Sequence, residues 1–399
     1  GGYLLPFSRS TDDARTFSAL EFVVPGSEYV SFGQIRLASG GPGDLQAVFT
    51  SFDTYFGGAE IVHVASSDGG DTFPNPRVIS TIDYLNSYVA DVGVGWGVAA
   101  AWANTDLATE STVDLSVSED AGATFSTPKR VDTPGGYRSS PVVGLHGDSE
   151  VYVAWVGNDD PLGASDAEEI YFSRSTDRGV TFFSPINVSS NSEKSWPPRM
   201  AVDGAGTIYL VWAEGDFTVD EKLLFAVSVD GGASFSEPRV LAGPTAWVEG
   251  RIVAVGDGVI WVAWNAAASV SEPGHESYVM RSVDGGLAFS PPTPLPGLSE
   301  IASASSERFF VAWSETPDGE EWPEVLVARG EIFTCGDADV DGRVTATDAL
   351  VALQAGVGAA ECAECRCDVN SAGGISATDA LLILRAAVGE PITLICPSC

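Results

Sequence analysis

The sequence is poor in basic residues and in histidine, and both shortages exclude classes of function. Lysine and arginine number 20 against 55 aspartates and glutamates, which gives a net charge of −35. A field of this sign repels nucleic acid and anionic membrane surfaces, so we expect neither as a partner, and divalent cations are the natural counter-charge. The three histidines are scattered along the chain, which gives no support to a histidine metal site or a Ser/His/Asp triad.

Long apolar runs, an N-terminal signal and early cysteines are also missing. No apolar stretch reaches the length of a membrane span, so we expect no membrane insertion, and Gly1 is interpreted as a processed end. The first 334 residues contain no cysteine, whereas six cysteines crowd into the tail. An even number in a short tail is typical of disulfide-stapled secreted modules, so we predict a secreted protein, extracellular or at the cell surface.

One octapeptide recurs six times with the pattern Ser-x-Asp-x-Gly-x-Thr-Phe. Its aspartates stand 52 to 57 residues apart, which is the length of a four-stranded propeller blade with its loops. In such a turn the carboxylate accepts nearby backbone N–H groups, glycine takes the positive φ, and phenylalanine fills a hydrophobic gap. The aspartates are Asp12, Asp68, Asp120, Asp177, Asp230 and Asp284, and the first turn has Ala14 where glycine is expected.

An aromatic residue in each repeat supports the same count. Runs such as EVYVAW and VIWVAW end on it, and we interpret these runs as second strands whose aromatics pack between blades. The aromatics are Phe49, Trp102, Trp155, Trp212, Trp264 and Trp313. We therefore predict a mainly β chain, with a six-bladed β-propeller over residues 1–332. The terminal strands exceed six blades by one, which predicts that GGYLLPFS or EVLVARG is left unpaired.

The octapeptides resemble the Asp-box, or BNR, repeats of sialidases and related propellers. In that family the boxes are structural and lie away from the catalytic face, and the resemblance implies the same role here. Sialidases carry the first of three substrate-binding arginines in an F-R-I-P motif near the N-terminus. The corresponding stretch of this chain is YLLPFSRS, so no catalytic residue is carried over.

The inner strands offer a separate candidate site. Counting thirteen residues back from the aromatic markers places three arginines and a glutamate near the starts of inner strands: Arg36, Arg199, Arg251 and Glu300. In one interpretation they form an anion site that pairs with the carboxylate or sulfate of a ligand such as a glycan. In the interpretation that we favour at this stage, they neutralise neighbouring acids in the central channel.

The tail, residues 333–399, carries an internal duplication that begins TATDAL at 345 and SATDAL at 376. Both copies have the spacing of an EF-hand loop, whose oxygens at positions 1, 3, 5, 7, 9 and 12 suit Ca²⁺. The first loop offers Asp337, Asp339, Asp341, the Arg343 carbonyl, Thr345 and Asp348, and the second offers Asp368, Asn370, the Gly374 carbonyl, Ser376 and Asp379. Ala372 replaces one ligand, so we predict two calcium sites of which the second is weaker.

Two such loops, each followed by one apolar helix, resemble type I dockerins. The resemblance implies docking to a cohesin-like partner through the helices, and other copies of this chain are the alternative partner. The positions that match the recognition pair of the family are Ala346, Thr347, Ala377 and Thr378. We interpret the leucines of these segments, Leu350, Leu353, Leu381, Leu382 and Leu384, as core between the two helices.

The tail cysteines are Cys335, Cys362, Cys365, Cys367, Cys396 and Cys399. We predict disulfides, because a secreted context is oxidising and the loops alone provide little core. Six cysteines allow 15 connectivities, which the spacing does not separate. Two Cys-x-x-Cys pairs, starting at Cys362 and Cys396, leave a four-cysteine zinc site as the alternative.

Together these features predict a secreted, calcium-binding, non-catalytic building block. Its propeller would be a scaffold, and its tail would mediate attachment or self-assembly into extracellular filaments. The alternative is a sialidase-like glycoside hydrolase or a glycan-binding propeller, anchored through the dockerin-like module. Enzymatic activity is thus left open, with the non-catalytic hypothesis preferred.

Overall fold

The computed structural model of the chain describes twenty segments, and all statements below refer to them. They are residues 6–12, 14–19, 21–22, 30–41, 43–53, 59–80, 86–105, 111–132, 136–158, 168–191, 193–216, 220–256, 258–268, 275–298, 300–303, 308–315, 324–331, 335–339, 344–390 and 392–396. None of the helices in these segments is long and apolar enough to cross a membrane.

A short hairpin and six successive sheets make up the β part. The hairpin joins β1 (Pro6–Phe7) to β2 (Glu21–Phe22). The first three sheets pair their strands in chain order: β3 (Val30–Gly41), β4 (Asp44–Asp53), β5 (Ala59–Ser66) and β6 (Arg77–Val78); β7 (Asn86–Val94), β8 (Val98–Thr105), β9 (Ser111–Ser118) and β10 (Lys129–Arg130); β11 (Arg138–His146), β12 (Glu150–Gly157), β13 (Glu169–Ser175) and β14 (Ile186–Asn187).

The next three sheets follow the same order, and the sixth has three described strands. They are β15 (Arg199–Val202), β16 (Ile208–Glu214), β17 (Glu221–Ser228) and β18 (Arg239–Thr245); β19 (Trp247–Gly256), β20 (Val259–Ala267), β21 (Glu276–Ser282) and β22 (Thr293–Leu295); β23 (Glu300–Ser303), β24 (Arg308–Glu315) and β25 (Glu324–Glu331). The tail contains α1 (Ala346–Gly356), α2 (Glu364–Cys367) and α3 (Ala377–Ala387).

Five of the six octapeptides form the turns between the third and fourth strands of the first five sheets, and the first octapeptide lies between β1 and β2. In the turn after β5, Asp68 accepts hydrogen bonds from the backbone N–H of Thr72 at 2.9 Å and from its hydroxyl at 2.6 Å. The Ser66 hydroxyl donates to Asp68 and accepts from the Gly70 N–H, which has a positive φ of 94°. These donors hold the pKa of the Asp68 carboxyl well below its usual range. Each turn is therefore closed by its own residues.

Aromatic residues fill the space between neighbouring sheets. The octapeptide Phe125 of the second sheet packs edge-on against His63 of the first, and Phe235 of the fourth packs against Phe172 of the third, with centroids 4.7 and 4.9 Å apart. The second-strand aromatics Trp155 and Trp212 are 1% exposed and belong to these inter-sheet clusters. Their prediction as core residues is confirmed.

The prediction of an unpaired terminal segment is wrong for the described residues. The EVLVARG segment is β25, which pairs with β24 from Glu324 to Glu331. Pro6 and Phe7 of the N-terminal segment pair with β2, whereas residues 1–5 lie outside the described part of the chain.

Contacts divide the chain into two compact units. Unit 1 is Gly1–Ile252, Val262–Val279 and Pro294–Pro296, and unit 2 is Val253–Trp261, Met280–Thr293 and Gly297–Cys399. Each unit is described by itself below. The proposed boundary between residues 332 and 333 stays a prediction.

The helices of the tail pack through small residues, which corrects the assignment of the leucines. The contact between α1 and α3 buries Ala349, Ala352, Ala380 and Ile383. Leu350, Leu353, Leu381 and Leu384 are instead 41 to 55% exposed, and Leu382 alone of the five lies against this core. Alanine lets two helix backbones approach closely, so the larger side chains point away from the contact. The interpretation of the four exposed leucines as core is wrong.

Two disulfides staple the tail, joining Cys335 to Cys396 and Cys362 to Cys367. Because Cys362 and Cys396 are both oxidised, the four-cysteine zinc alternative is excluded. The side chains of Cys365 and Cys399 lie outside the described part. The predicted disulfides are confirmed for these four residues, and they indicate an extracellular or otherwise oxidising location.

Candidate functional site

A cavity of about 220 Å³ opens in unit 1, where the inner strands of several sheets begin. Residues of β3, β11, β15, β17 and β19 form its wall. The side chains that give it chemical character are two arginines, two glutamates and two tryptophans: Arg36, Arg199, Glu221, Glu249, Trp196 and Trp247.

The predicted arginines of unit 1 lie beside acidic partners. Arg251 Nη1 is 2.7 Å and Arg199 Nη2 is 3.6 Å from the same Glu249 oxygen, while Arg36 Nε is 3.9 Å from Asp91 Oδ1. Acids therefore do neutralise the arginines, as the interpretation favoured from the sequence requires. Arg36 and Arg199 nevertheless line an open cavity, so the two interpretations are compatible.

Glu300, the fourth residue of the predicted cluster, is described within unit 2. It is the first residue of β23, it is exposed, and its Oε1 accepts a hydrogen bond from the backbone N–H of Ile301. The cavity described here is lined by Arg36 and Arg199 without it, and Arg251 is ion-paired with the lining residue Glu249.

Asp91 on β7 is a buried acid beside the cavity. Its Oδ2 accepts the backbone N–H of Val143 at 2.9 Å, next to Val142 in the cavity wall. Burial raises the pKa of the Asp91 carboxyl, and the Val143 hydrogen bond and the charges of Arg36 and Arg199 oppose this rise. The carboxyl is consequently easier to protonate than that of an exposed aspartate.

Two indole rings form the apolar part of the wall. Trp196 is fixed by its Nε1–H, which donates to the Gly215 carbonyl at 3.0 Å, and Lys194 Nζ lies 4.6 Å from its ring centroid. The Trp247 ring lies 5.3 Å from that of His275. Rings held in this way present flat apolar surface at little cost in conformational entropy.

Sequence reasoning missed the acids and tryptophans of this cavity. The signals were present: Trp196 stands three residues before Arg199, and Trp247 stands four before Arg251. Asp91 lies two residues beyond the position counted back from Trp102, because the pairing of β7 with β8 shifts register between Tyr88 and Asp91. Counting a fixed number of residues back from the aromatic marker gives the wrong position where the strand contains such a bulge.

Comparison with solved structures gives the fold. An α-L-arabinanase from Penicillium chrysogenum has a TM-score of 0.53 and 17% identity, covering 77% of this chain and 96% of that chain. A Hadza microbial sialidase, Hz136, has a TM-score of 0.53 and 14% identity over 75% and 66%. A protein of unknown function from Dyadobacter fermentans has a TM-score of 0.55 and 13% identity over 77% and 96%. The fold is a six-bladed β-propeller.

The propeller confirms the predicted β fold class and corrects the predicted function. No protein-family model and no curated protein matches the sequence. Two of the three structures above are an arabinanase and a sialidase, and this finding overturns the prediction of a non-catalytic attachment protein or filament subunit. At these identities the likeness establishes the fold alone.

The first acidic loop of the tail brings three carboxylates together within unit 2. Oxygens of Asp337, Asp339 and Asp348 lie within 4.8 Å of one another. Asp348 Oδ1 accepts the backbone N–H of Asp339 at 3.0 Å, and its Oδ2 accepts the Thr345 hydroxyl at 2.9 Å. The predicted ligands Asp341 and Arg343 lie outside the described residues.

The second acidic loop contains an unsatisfied carboxylate oxygen. Asp379 Oδ2 accepts the backbone N–H and the hydroxyl of Ser376, at 3.0 and 2.7 Å. Its Oδ1 is buried with no hydrogen-bond partner in the described structure. Asp368, at the other end of the loop, accepts the N–H groups of Gly373 and Gly374 at 2.9 and 3.2 Å.

Proposed function

We propose that the cavity of unit 1 binds a carbohydrate and that the protein is a glycoside hydrolase of the propeller type. The observation that carries the proposal is one cavity lined by Trp196, Trp247, Arg36, Arg199 and carboxyl groups. Ligand sites of this kind combine apolar surface with a few polar groups that fix orientation. The fold shared with an arabinanase and a sialidase supports the same class of substrate.

Each group of side chains suits one part of a sugar. The indole rings of Trp196 and Trp247 offer apolar surface to the C–H face of a sugar ring. Arg36 and Arg199 present forked N–H donors, which match hydroxyl oxygens or a carboxylate. Glu249 lines the cavity and is ion-paired with Arg199 and Arg251, and glycoside hydrolysis uses a carboxylate together with a second carboxyl group.

A panel of fluorogenic glycosides tests this proposal, with an α-L-arabinofuranoside and a sialoside among them. We expect wild-type turnover of at least one glycoside and a loss of tenfold or more in kcat/KM for Arg199→Ala. Lys129→Ala is the matched control, because Lys129 is an exposed cation on β10 outside the cavity lining. Wild-type protein that neither cleaves nor binds any glycan of the panel would contradict the proposal.

We also propose that the two acidic loops of the tail bind Ca²⁺, as the dockerin-like pattern implies. The buried, unpaired Asp379 Oδ1 supports the second site, and the three-carboxylate cluster supports the first. Ca²⁺ prefers six to eight oxygen ligands, and the first loop pattern offers six ligand groups and the second five. Calorimetric titration should give two binding events, with the weaker one lost in Asp379→Asn. A single event unaffected by this substitution would contradict the second site.

The exposed helix face of the tail supports the proposal that it anchors the propeller to a cohesin-like protein. Leu350 and Leu353 on α1 recur as Leu381 and Leu384 on α3 with the same spacing, and all four are exposed. Ala346–Thr347 and Ala377–Thr378 begin the same helices. Pull-down by a cohesin should need Ca²⁺ and fail for Leu350→Lys with Leu381→Lys, whereas Val325→Lys on β25 is the exposed control. Light scattering that shows calcium-dependent self-association would identify other copies as the partner instead.

Secretion is part of the same proposal. A chain stapled by Cys335–Cys396 and Cys362–Cys367 keeps these bonds only outside a reducing cytosol. Cell fractionation of the source organism should place the protein, with both disulfides formed, in the medium or at the cell surface.

A further inference from the structure

Three inner strands deviate from regular pairing next to the cavity. β7 shifts register between Tyr88 and Asp91, β3 between Phe32 and Ile35, and β11 between Ser139 and Val142. Ser140, inside the last of these, has a φ of 51°, which a residue with a side chain rarely adopts. Bulges and strained residues gather at functional sites because they re-aim side chains.

The bulge in β7 places Asp91 between two parts of the cavity wall. On one side Arg36 Nε is 3.9 Å from Asp91 Oδ1. On the other side the Val143 N–H on β11 holds Oδ2 at 2.9 Å. The charged groups that act on the pKa of this carboxyl are Arg36 from β3 and Arg199 from β15.

The surroundings of Asp91 suit proton donation. The carboxyl is largely buried but keeps 20% of its side-chain surface exposed, beside the cavity-lining Arg36. Burial favours the protonated form and raises its pKa, while the fixed Val143 N–H sets the orientation of the group. Glycoside hydrolysis needs a proton-donating carboxyl and a second carboxyl group, and here these are Asp91 and Glu249, which is salt-bridged to Arg199 and Arg251.

We propose that Asp91 is the catalytic acid of the hydrolysis proposed above, on which this inference rests. The Asp91 carboxyl transfers its proton to the glycosidic oxygen as the bond from this oxygen to the anomeric carbon breaks, and the leaving group departs as an alcohol. A water oxygen then bonds to the anomeric carbon, and one proton of that water returns to the Asp91 carboxylate. The sum is one glycoside and one water converted to two hydroxyl compounds.

Two aryl glycosides of the sugar that the wild type cleaves best provide the test, one with a dinitrophenyl and one with an unsubstituted phenyl leaving group. Dinitrophenolate leaves without protonation, whereas phenol needs the acid. We therefore expect Asp91→Asn to lower kcat/KM for the phenyl glycoside about 100-fold or more and for the dinitrophenyl glycoside less than tenfold. The fall of wild-type activity at high pH should also disappear in the variant.

Asp114→Asn is the matched control, because Asp114 is another partly buried carboxyl whose pKa is raised, to about 6, but its hydrogen-bond partner is Asn104, whereas Asp91 lies 3.9 Å from the cavity-lining Arg36. It should leave the ratio of the two activities unchanged. Should Asp91→Asn fold poorly, Asp91→Ser replaces it, with the same expected difference between the two glycosides.

Equal losses on both glycosides would overturn the role of Asp91 and leave the proposed hydrolase intact. Wild-type protein that cleaves neither substrate nor any other glycoside would overturn the proposed function and this role with it.

Discussion

His63 Nε2 lies 2.8 Å from Gln46 Oε1 inside the first sheet, and both side chains are only 1% exposed. At the matching positions of the third and fourth sheets, Tyr152 packs near Phe172 and Tyr209 stacks on Phe225. The first sheet thus has a buried polar pair at the positions where the third and fourth sheets have aromatic pairs. Since this pair contains a titratable group, it makes the propeller sensitive to acid.

The first prediction is a loss of stability at mildly acidic pH through His63. Burial, followed by the charge of Arg77, lowers the pKa of His63 to about 4. The neutral imidazole is favoured in the folded state, so its stabilisation is complete above about pH 6.5 and is lost as the pH falls towards 4. The shift corresponds to about 3 kcal/mol. Urea unfolding at pH 7 and pH 4.5 should show this loss, and His63→Gln should reduce it. An unchanged pH dependence in the variant would count against the assignment.

The second prediction concerns the inter-sheet core. Trp155→Ala should lower the free energy of unfolding by about 3 to 5 kcal/mol, because it leaves a large cavity among buried side chains. Thermal melting followed by circular dichroism measures the effect. Val229→Ala is the control, because Val229 is 82% exposed and its loss should change stability by less than about 0.5 kcal/mol.

The third prediction concerns the octapeptide turn after β9. The Ser118 hydroxyl accepts the Gly122 N–H at 2.8 Å and donates to Asp120 at 2.8 Å, and Ser118 is 1% exposed. Ser118→Ala leaves this buried N–H without an acceptor, so we expect a cost of about 1 to 3 kcal/mol. Ser67→Ala, at an exposed position beside the preceding turn, should be nearly neutral in the same unfolding experiment. Equal effects of the two substitutions would argue against a closed turn.

The fourth prediction concerns the Cys335–Cys396 disulfide, whose residues are 61 positions apart. Closing a loop of this length restricts the unfolded chain by about 4 kcal/mol in the chain-entropy model. Cys335→Ser with Cys396→Ser should therefore expose the tail to limited proteolysis. Cys362–Cys367 closes a loop of only 5 positions, so its removal should have a smaller effect. The reverse order would contradict the loop-length argument.

The sheets are predictable from sequence because the information for each turn is local. Ser118, Asp120 and Gly122 bond to one another within eight residues, so a spacing of such turns reports the spacing of sheets. The chemistry of the cavity is not local in this way. Asp91, Arg36 and Val143 come from three different sheets, and a bulge moves Asp91 out of the counted register.

The helix pair of the tail shows a different limit. Both helices are apolar and rich in leucine, and the larger residues are the natural choice for the core. The contact uses Ala352 and Ala380 instead, because the closest backbone approach excludes long side chains. Which face is inside therefore depends on the geometry of the pair, which the order of apolar residues does not specify.

Asp379 belongs to two structures at once, since it closes the second acidic loop and also occupies the third position of α3 in a capping box with Ser376. One oxygen holds the start of the helix, and the other is turned inward and unshared. The loop and the helix are therefore coupled through Asp379. If the first turn of α3, which includes Ala377 and Thr378, unfolds, the Asp379 carboxylate leaves its place in the loop. Order in this turn and order in the loop should appear and vanish together.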